Sequence, residues 1–257
     1  MAAVEPSSEM LNTVATWIAQ ADRVCCMTGA GVSAESGIAT FRGPDGLWEG
    51  RRPEDVATPE AFQRDPKSVW RFYEARRKAL TSARPNAGHF ALAQLAELVP
   101  DFQLITQNVD GLHRDAGSPD VIELHGDVRL DRCTNCRWET RVEGAAERSA
   151  LPHCPECDGL LRPGVVWFGE MLPPGAIEAA QHAAENCQVM LVVGTSSLVQ
   201  PAASLASWAQ TQGAKVVEIN TETTVLSSSA DVHLRGPSGD LLPALVARVH
   251  ILSEPRP

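Results

Sequence analysis

The chain has 257 residues, of which 44% are hydrophobic, and its formal net charge at pH 7 is −10. This length suits one large domain or a domain with an insert, and the composition allows a full hydrophobic core. Basic side chains dominate nucleic-acid affinity, so the acidic balance argues against nucleic acid as the main partner and favours a small substrate or a positively charged partner.

Targeting signals and cysteine usage predict the compartment. No apolar run approaches the roughly 20 residues that a membrane-spanning helix needs. Residues 1–10 are polar, without the basic start and apolar middle of a secretory signal. Four of the seven cysteines stand in C-x-x-C pairs, which in a chain without an export signal favours metal over disulfides. We expect a cytoplasmic protein without membrane association.

The first predicted elements are a helix and a strand. Leu11, Val14, Ala15 and Ile18 recur at helical spacing, which predicts an amphipathic helix that covers a sheet. The apolar run 24–27 then predicts a buried strand.

A glycine-rich turn and a predicted helix follow that strand. Gly29, Gly31 and Ala34 fit the dinucleotide pattern G-x-G-x-x-G/A. Gly29 would allow the tight turn, Gly31 would let a pyrophosphate approach the backbone, and Ala34 would let the helix pack closely on its strand. The helix N-terminus would offer N–H groups to phosphates. Ordinary strand-to-helix turns share this pattern, so the motif alone leaves nucleotide binding open.

A loop and a helical region come next. Gly43, Pro44 and Gly46 mark a loop in which Phe41 and Arg42 either cap a ligand or belong to the surface. Pro59 and Pro66 are helix-start signals in the polar region 53–84.

Tyr73 and Arg76 lie one helical turn apart in that region and face the same way. Such a pair can grip a carboxylate, since the guanidinium binds it in a bidentate manner and the phenol donates. The residues alone favour the plainer interpretation, a tyrosine at the core edge beside a solvated arginine.

Four further runs read as strands buried on both faces: 102–105, 121–124, 189–193 and 216–219. Segments 89–98, 170–188 and 197–215 suit helices. The chain is therefore predicted to be α/β, with a doubly wound, Rossmann-like parallel sheet. Because ligands bind at the carboxyl ends of such strands, the polar residues there predict one shared nucleotide cleft: Thr28, Gln107, His125, Gly194 and Asn220.

Cys133, Cys136, Cys154 and Cys157 form two C-x-x-C knuckles with 17 residues between them. This spacing predicts a zinc site, and four sulfur ligands leave no open position, so the site should be structural. His153 as a substitute ligand and a redox C-x-x-C are weaker alternatives. Cys25, Cys26 and Cys187 read as core residues. The zinc module interrupts the α/β pattern and is predicted to be an insert.

The apolar run 162–170 ends in Gly169 and Glu170. It predicts either an edge that receives a peptide by strand addition or an ordinary strand that returns to the main sheet.

Taken together, these motifs resemble the sirtuin family over residues 20–245. They occur in the family's order: Gly29–Ile38, Phe41–Gly43, Thr106–His113, His125–Gly126, the four cysteines, Val165–Glu170, Gly194–Ser196 and Asn220. Ala39 departs from the family, in which most members have proline there, but this removes no functional side chain.

The resemblance implies NAD-dependent removal of acyl groups from lysine, which gives nicotinamide and O-acyl-ADP-ribose. It implies that His125 is the general base for a ribose hydroxyl and that Asn108 is also catalytic. A histidine suits this role because its pKa lies near ~6.5. The cofactor-binding residues implied are Gly29, Ala30, Gly31, Ser33, Glu35, Phe41, Arg42, Trp48, Gln107, Asn108, Val109, Asp110, Gly194, Thr195, Ser196, Asn220, Thr221, Glu222 and Ser238.

The resemblance also implies an acyl-lysine peptide channel formed by Val166, Phe168, Gly169 and Glu170. Sirtuins that prefer acidic acyl chains carry a Tyr-x-x-Arg motif, so Tyr73 and Arg76 become substrate residues. Succinyl-, malonyl- or glutaryl-lysine are then the expected substrates, with some deacetylation.

A Rossmann-like NAD-binding domain is expected at residues 1–42, 90–130 and 165–257, and a small zinc-ribbon and helical domain at 43–89 and 131–164. Three alternatives stay open at this stage: an NAD-dependent oxidoreductase with structural zinc, a protein ADP-ribosyltransferase, and a zinc-ribbon module that binds nucleic acid. Against the oxidoreductase, no acidic residue ends a second strand about 20 residues after the turn. Glu49 lies at that distance but in a Gly/Pro loop.

Overall fold

A computed structural model describes residues 8–40, 46, 52–142, 144, 148 and 150–253. The predicted cofactor residues Phe41, Arg42 and Trp48 lie outside this described part of the chain. Six strands form one parallel sheet in the order β3-β2-β1-β7-β8-β9: β1 (Arg23–Thr28), β2 (Asp101–Thr106), β3 (Ile122–Glu123), β7 (Val189–Val193), β8 (Lys215–Asn220) and β9 (Val232–Arg235).

Helices cover both faces of this sheet. The described α-helices are α1 (Ser8–Ala19), α2 (Pro59–Arg64), α3 (Pro66–Ser82), α4 (Ala87–Leu98), α5 (Leu112–Asp115), α6 (Ala176–Asn186), α7 (Ser204–Thr211) and α8 (Ser238–Ser253). Helices α1, α4 and α8 pack together over one face, and α6 and α7 pack over the other.

Alternate residues of each central strand enter different cores. In β1, Val24 and Cys26 point to the core beneath α1, α4 and α8, whereas Cys25 and Met27 point to the core beneath α6 and α7. A strand with both faces buried needs apolar side chains at every position, which is why these runs lack polar alternation. The predicted doubly wound sheet is confirmed, and all five predicted strands are observed.

The strand order places the functional cleft. From β1 the chain proceeds through β2 and β3 on one side, while β7, β8 and β9 extend the sheet on the other. The connections therefore diverge between β1 and β7, and the carboxyl ends of these two neighbours flank a crevice. Ligands of open α/β sheets bind at such a switch point.

Three further strands form a small antiparallel sheet in the order β5-β4-β6: β4 (Gly126–Cys133), β5 (Glu139–Arg141) and β6 (Leu161–Val165). Residues of α2 and α3 share a hydrophobic core with it. Both helices begin with proline and are capped, by the Thr58 and Asp65 side chains respectively, as the helix-start signals predicted.

The small sheet decides one open question. Strand β6 pairs with β4, so the predicted return of segment 162–170 to the main sheet is wrong. The predicted domain boundaries at 89/90 and 130/131 fall inside α4 and β4. The division into two domains stays a prediction.

The first helix and the segment after the glycine turn test two local predictions. The four predicted buried positions of α1 are confirmed. The helix predicted after the glycine turn is observed as a seven-residue 3-10 helix, Ala30–Ser36. Ala34 is exposed on it, so its predicted packing against the strand is wrong; Val32 and Ser33 are the buried residues.

In the described part of the chain, none of the helices has the length and apolar character that crossing a bilayer requires.

Candidate active site

A cavity of about 1180 Å³ opens at the carboxyl ends of the parallel strands. Its volume exceeds the roughly 300–1,000 Å³ of pockets for drug-sized ligands, so it has room for a dinucleotide and part of a second substrate. The predicted residues that line it are Gly29, Ala30, Gly31, Tyr73, Arg76, Gln107, Asn108, Val109, His125, Val166, Phe168, Gly169, Glu170, Gly194, Thr195, Ser196, Asn220, Thr221 and Glu222.

The glycine turn packs backbone against backbone. The Gly29 N–H donates to the Val193 carbonyl at 3.0 Å, and the Gly31 N–H donates to the Gly194 carbonyl at 2.8 Å. A Cβ at Gly31 would lie only 2.7 Å from the Gly194 Cα. Glycine is thus required here for the contact between the turns after β1 and β7, besides any approach of phosphate.

One ring nitrogen of His125 is engaged in a hydrogen bond to the backbone. Its Nδ1 lies 2.9 Å from the Gln107 carbonyl oxygen, which can only accept, so Nδ1 carries the proton and Nε2 is the basic nitrogen. The Val166 N–H donates to the His125 carbonyl at 2.9 Å and fixes the backbone. Burial lowers the pKa of His125, against the opposing effect of the Gln107 hydrogen bond, so the ring is neutral near pH 7. A neutral imidazole on a cavity wall can act as a general base.

Asn108 is fixed on the same wall. Its Nδ2 donates to the Gly29 carbonyl at 3.1 Å and to the Ser33 hydroxyl at 3.2 Å, and its backbone N–H donates to the Thr106 hydroxyl at 3.0 Å. Because both amide hydrogens are donated within the protein, the side-chain carbonyl oxygen of Asn108 is the group that can accept a hydrogen bond from a ligand.

Two predicted cofactor residues support Asn108 from behind. The Ser33 hydroxyl donates to Asp110 at 2.8 Å, and Asp110 also accepts from the Leu112 N–H at 2.9 Å. Neither Ser33 nor Asp110 lines the large cavity. Asp110 lines an adjoining cavity of about 240 Å³, which shares Val109 and Arg76 with the large one.

A second buried layer lies behind this wall and includes Thr28, which was predicted to line the cleft. Thr28 is fully buried and does not line the cavity, so that prediction is wrong. His89 and His113 were assigned no role of their own from the sequence. Thr28 donates to the Thr106 hydroxyl at 2.8 Å, and His113 Nε2 lies 2.9 Å from the Thr28 hydroxyl. The His113 and His89 rings are 4.8 Å apart, and His89 Nε2 is 3.4 Å from the Ser33 hydroxyl. Burial, and then the charge of His89, lower the pKa of His113 to about 3. A run of polar residues after β2 was the one signal for this layer.

Residues at or just after the carboxyl ends of β2, β7 and β8 form a second polar wall of the cavity. Gln107 donates to the Thr195 hydroxyl at 3.1 Å, and Asn220 donates to the Thr195 carbonyl at 2.9 Å. The fully buried Glu218 accepts hydrogen bonds from Thr224 and Ser227, which fastens the loop that continues this wall.

Glu35 and Ser238 do not line either cavity. Glu35 accepts from the Gly239 N–H at 2.7 Å, and the Ser238 hydroxyl is 3.4 Å from the same carboxylate oxygen. Glu35 therefore caps the start of α8, where a carboxylate is favoured by the helix dipole. A cofactor contact by either residue stays a prediction.

The near end of the cavity holds the predicted substrate residues. Tyr73 and Arg76 of α3 line it together with Val166 and Phe168. The Trp167 indole N–H donates to the Tyr73 hydroxyl at 3.1 Å. Burial alone would raise the pKa of Glu170, but hydrogen bonds from Arg162 and from the Trp167 N–H lower it, so Glu170 is an anion already paired inside the protein.

The four predicted zinc ligands form one cluster. Their Sγ atoms all lie within 4.8 Å of one another, with 3.4 Å between Cys133 and Cys157 and 3.7 Å between Cys136 and Cys154. Zinc–sulfur bonds of about 2.3 Å place two sulfurs of a tetrahedron about 3.8 Å apart. The four cysteines fit one structural zinc ion.

Comparisons with known proteins agree with this geometry. The family model "Sir2 family" matches residues 29–201. An NAD-dependent protein deacylase of Archaeoglobus fulgidus is 50% identical over 232 residues, which is 90% of this chain and 95% of that protein. A crystal structure of a Sir2 homologue in complex with NAD superposes with a TM-score of 0.91 at 46% identity, covering 99% of this chain and 98% of the other. A Sir2 variant solved with a deacetylated p53 peptide and 3'-O-acetyl ADP-ribose has a TM-score of 0.86 at 32% identity, covering 92% and 97% of the two chains.

Proposed function

The chain belongs to the Sir2 family of NAD-dependent protein deacylases, and we propose that within this activity it prefers lysines that carry a short acidic acyl group. NAD and one structural zinc ion are its cofactors. Its substrates are acylated proteins or peptides, and succinyl-, malonyl- and glutaryl-lysine are the preferred modifications in this proposal. A cytoplasmic location belongs to the same proposal.

The observation that carries the preference is that Tyr73 and Arg76 share a cavity with His125. Burial lowers the pKa of Arg76, yet a guanidinium keeps its proton in proteins. Asp110 already contributes negative charge near Arg76, and Arg76 lines the cavity, where its guanidinium can bind the terminal carboxylate of an acyl group in a bidentate manner. Arg76 would bind this carboxylate while the Tyr73 phenol donates a hydrogen bond to it.

In this proposal the residues divide the chemistry between the two ends of the cavity. NAD, when bound, supplies the ribose carbon that receives the acyl oxygen as nicotinamide leaves. His125 takes a proton from a ribose hydroxyl at Nε2, because Nδ1 is committed to Gln107. Asn108 and Asp110 order the nicotinamide side. Gln107, Thr195 and Asn220, which are hydrogen-bonded to one another, hold the ribose and phosphate side.

The residues of segment 165–170 act on the peptide in the same proposal. Strand β6 lies at the edge of the small sheet, and Val166, Phe168, Gly169 and Glu170 continue from it along the cavity. An acyl-lysine could thread between them and Tyr73 toward His125. The pairing of Glu170 with Arg162 assigns Glu170 mainly to the shape of this segment.

Three peptides of one sequence test the preference, with acetyl-, butyryl- and succinyl-lysine. Butyryl and succinyl have equal chain lengths and differ in the terminal carboxylate. We expect the wild-type protein to have a higher kcat/KM, measured by nicotinamide release, for succinyl than for butyryl. Arg76→Met should reduce the succinyl-to-butyryl ratio about 10-fold to 100-fold, since hydrogen bonds to charged groups are worth ~1.5–3 kcal/mol.

Arg71→Met is the matched control, because Arg71 is an exposed arginine on the same helix and does not line the cavity. It should leave the ratio as in the wild type. A wild-type enzyme without preference for succinyl, or equal losses on both substrates in Arg76→Met, would refute the acidic-acyl preference.

A further inference from the structure

The Tyr73 hydroxyl has a hydrogen-bond donor that is remote in sequence. The Trp167 indole N–H reaches it at 3.1 Å, across 94 residues, and both side chains are buried. An indole nitrogen can only donate, so the phenol oxygen must be the acceptor in this bond.

This bond restricts where the Tyr73 proton can point. A phenol has one proton to donate, and the approach of the Trp167 N–H excludes that proton from the side of the oxygen facing the indole. Burial raises the pKa of Tyr73 to about 12, although the hydrogen bond from Trp167 and the charges of Arg76 and Arg162 act in the opposite direction. Tyr73 therefore keeps its proton at neutral pH and presents it away from Trp167.

Trp167 itself is fixed from several directions. Its ring lies 5.2 Å from the Phe62 ring, and the Arg162 guanidinium carbon lies 3.5 Å from the ring centroid. Its backbone N–H donates to Glu170 at 2.8 Å, and Glu170 is also paired with Arg162. The side chain is 3% exposed, so it has little freedom to turn away from Tyr73.

We propose that Trp167 is a positioning residue for acyl selectivity, whose indole N–H orients the Tyr73 hydroxyl toward the terminal carboxylate of an acidic acyl group. The proposal rests on the proposed function and names a residue outside the Tyr-x-x-Arg pair that contributes to the same preference. Since Trp167 acts through Tyr73, its contribution should exist only when the tyrosine hydroxyl is present and the acyl group carries a carboxylate.

Trp167→Phe keeps an aromatic ring and removes only the N–H donor and part of the ring volume. We expect it to lower the succinyl-to-butyryl ratio of kcat/KM about 3-fold to 10-fold, the effect of one neutral hydrogen bond of ~0.5–1.5 kcal/mol. A change in packing alone would affect the two acyl groups alike and would leave the ratio unchanged. An unchanged ratio in Trp167→Phe would therefore overturn the proposal.

A double-mutant cycle separates orientation of the hydroxyl from other effects. Tyr73→Phe should lower the same ratio, and adding Trp167→Phe to it should lower the ratio no further, because no hydroxyl is left to orient. A second full loss in the double variant would show that Trp167 acts independently of Tyr73 and would overturn the inference.

The same measurements distinguish this inference from the proposed function. If the wild type prefers succinyl and Arg76→Met removes that preference, the proposed function stands. An unchanged Trp167→Phe ratio would then refute the positioning role alone. If the wild type has no such preference, both fail together.

Discussion

At the scale of single residues, His125 shows how a backbone carbonyl can select a function. The Gln107 oxygen accepts from Nδ1 at 2.9 Å, which leaves Nε2 as the basic nitrogen on the cavity wall. Burial holds the pKa of the ring below its ordinary value of 6.5. Among the described residues, the partner of this base is thus a backbone carbonyl rather than a carboxylate, and the ring is already neutral at physiological pH.

We predict that His125→Ala lowers kcat about 10²-fold to 10⁴-fold, the usual contribution of a general base. Wild-type kcat/KM should fall as the pH drops through the pKa of His125, because only the neutral ring accepts a proton. Since that pKa is lowered, this acidic limb should lie below pH 6.5. Nicotinamide release between pH 5 and 8.5 measures both effects.

His182→Ala, at an exposed position of α6, is the control and should keep both the rate and the limb. A His125→Ala protein that retains the wild-type rate and acidic limb would refute the assignment.

Residue spacing predicted that Tyr73 and Arg76 share a helix face, whereas their substrate role was implied by the family resemblance alone. Tyr73 and Arg76 are three residues apart on a helix, so a shared face followed from helical geometry, and both do line the cavity. Trp167 was part of a recognised motif, but its bond to Tyr73 joins two distant segments. Local pattern contains no information about such pairs, because they depend on how the small sheet packs on α3.

At the scale of elements, the turns after β1 and β7 act as one unit. Gly31 and Gly194 approach so closely that neither has room for a side chain, and Gly194 also has a φ of +60°. The sequence pattern explained Gly31 through pyrophosphate binding alone. The structure adds a packing reason that holds even before any cofactor binds.

We predict that Gly31→Ala forces these two backbones apart and destabilises the protein by about 1–3 kcal/mol, as overpacking does. It should also raise KM for NAD, because both displaced turns line the cavity. Thermal melting and steady-state kinetics measure the two effects.

Gly236→Ala is the matched control, since the nearest atom to its added Cβ is a terminal carbon of the Leu241 side chain, at 3.1 Å, which can shift. It should change melting and KM less than Gly31→Ala does. Equal effects of the two substitutions would contradict the packing argument.

The strength of the periodic signal decided which elements could be predicted. Runs buried on both faces, such as 189–193, were predicted correctly because few other structures need five consecutive apolar residues. Strand β9 was not predicted, since Val232–Arg235 is short and mixes polar with apolar residues at the edge of the sheet. A helix was predicted after the glycine turn, but its 3-10 type was not, because 3-10 and α-helices share composition over so short a segment.

At the scale of the whole molecule, the cleft depends on contacts between parts of the chain that are far apart in sequence. Glu35 follows the glycine turn, yet it caps α8 through a residue 204 positions later. The buried Arg77 on α3 donates to carbonyl groups of β4 and to Asp131, which ties the helix carrying Tyr73 and Arg76 to the small sheet. The polar residues at the ends of the predicted strands indicated where the cleft would be, but not these connections.

The buried histidines couple the stability of the whole molecule to pH. His113 has a pKa of about 3 in the folded protein and about 6.5 when unfolded, because burial disfavours its charged form. Between these values the unfolded state binds one more proton than the folded state. The free energy of unfolding should therefore decrease as the pH falls below 6.5, by up to about 1.4 kcal/mol per pH unit from this group.

We predict that His113→Gln makes this decrease shallower, because glutamine does not titrate and its amide can still donate to the Thr28 hydroxyl. Urea unfolding at pH 7, 6 and 5 measures the slope, and His182→Gln on the surface of α6 is the control. Some slope should remain in His113→Gln, since burial also lowers the pKa of the neighbouring His89. Any loss of stability that the substitution causes at pH 7 is constant with pH, so the slope is the decisive quantity. If both variants keep the wild-type slope, His113 is not a source of the acid sensitivity, and the pH dependence must come from other groups.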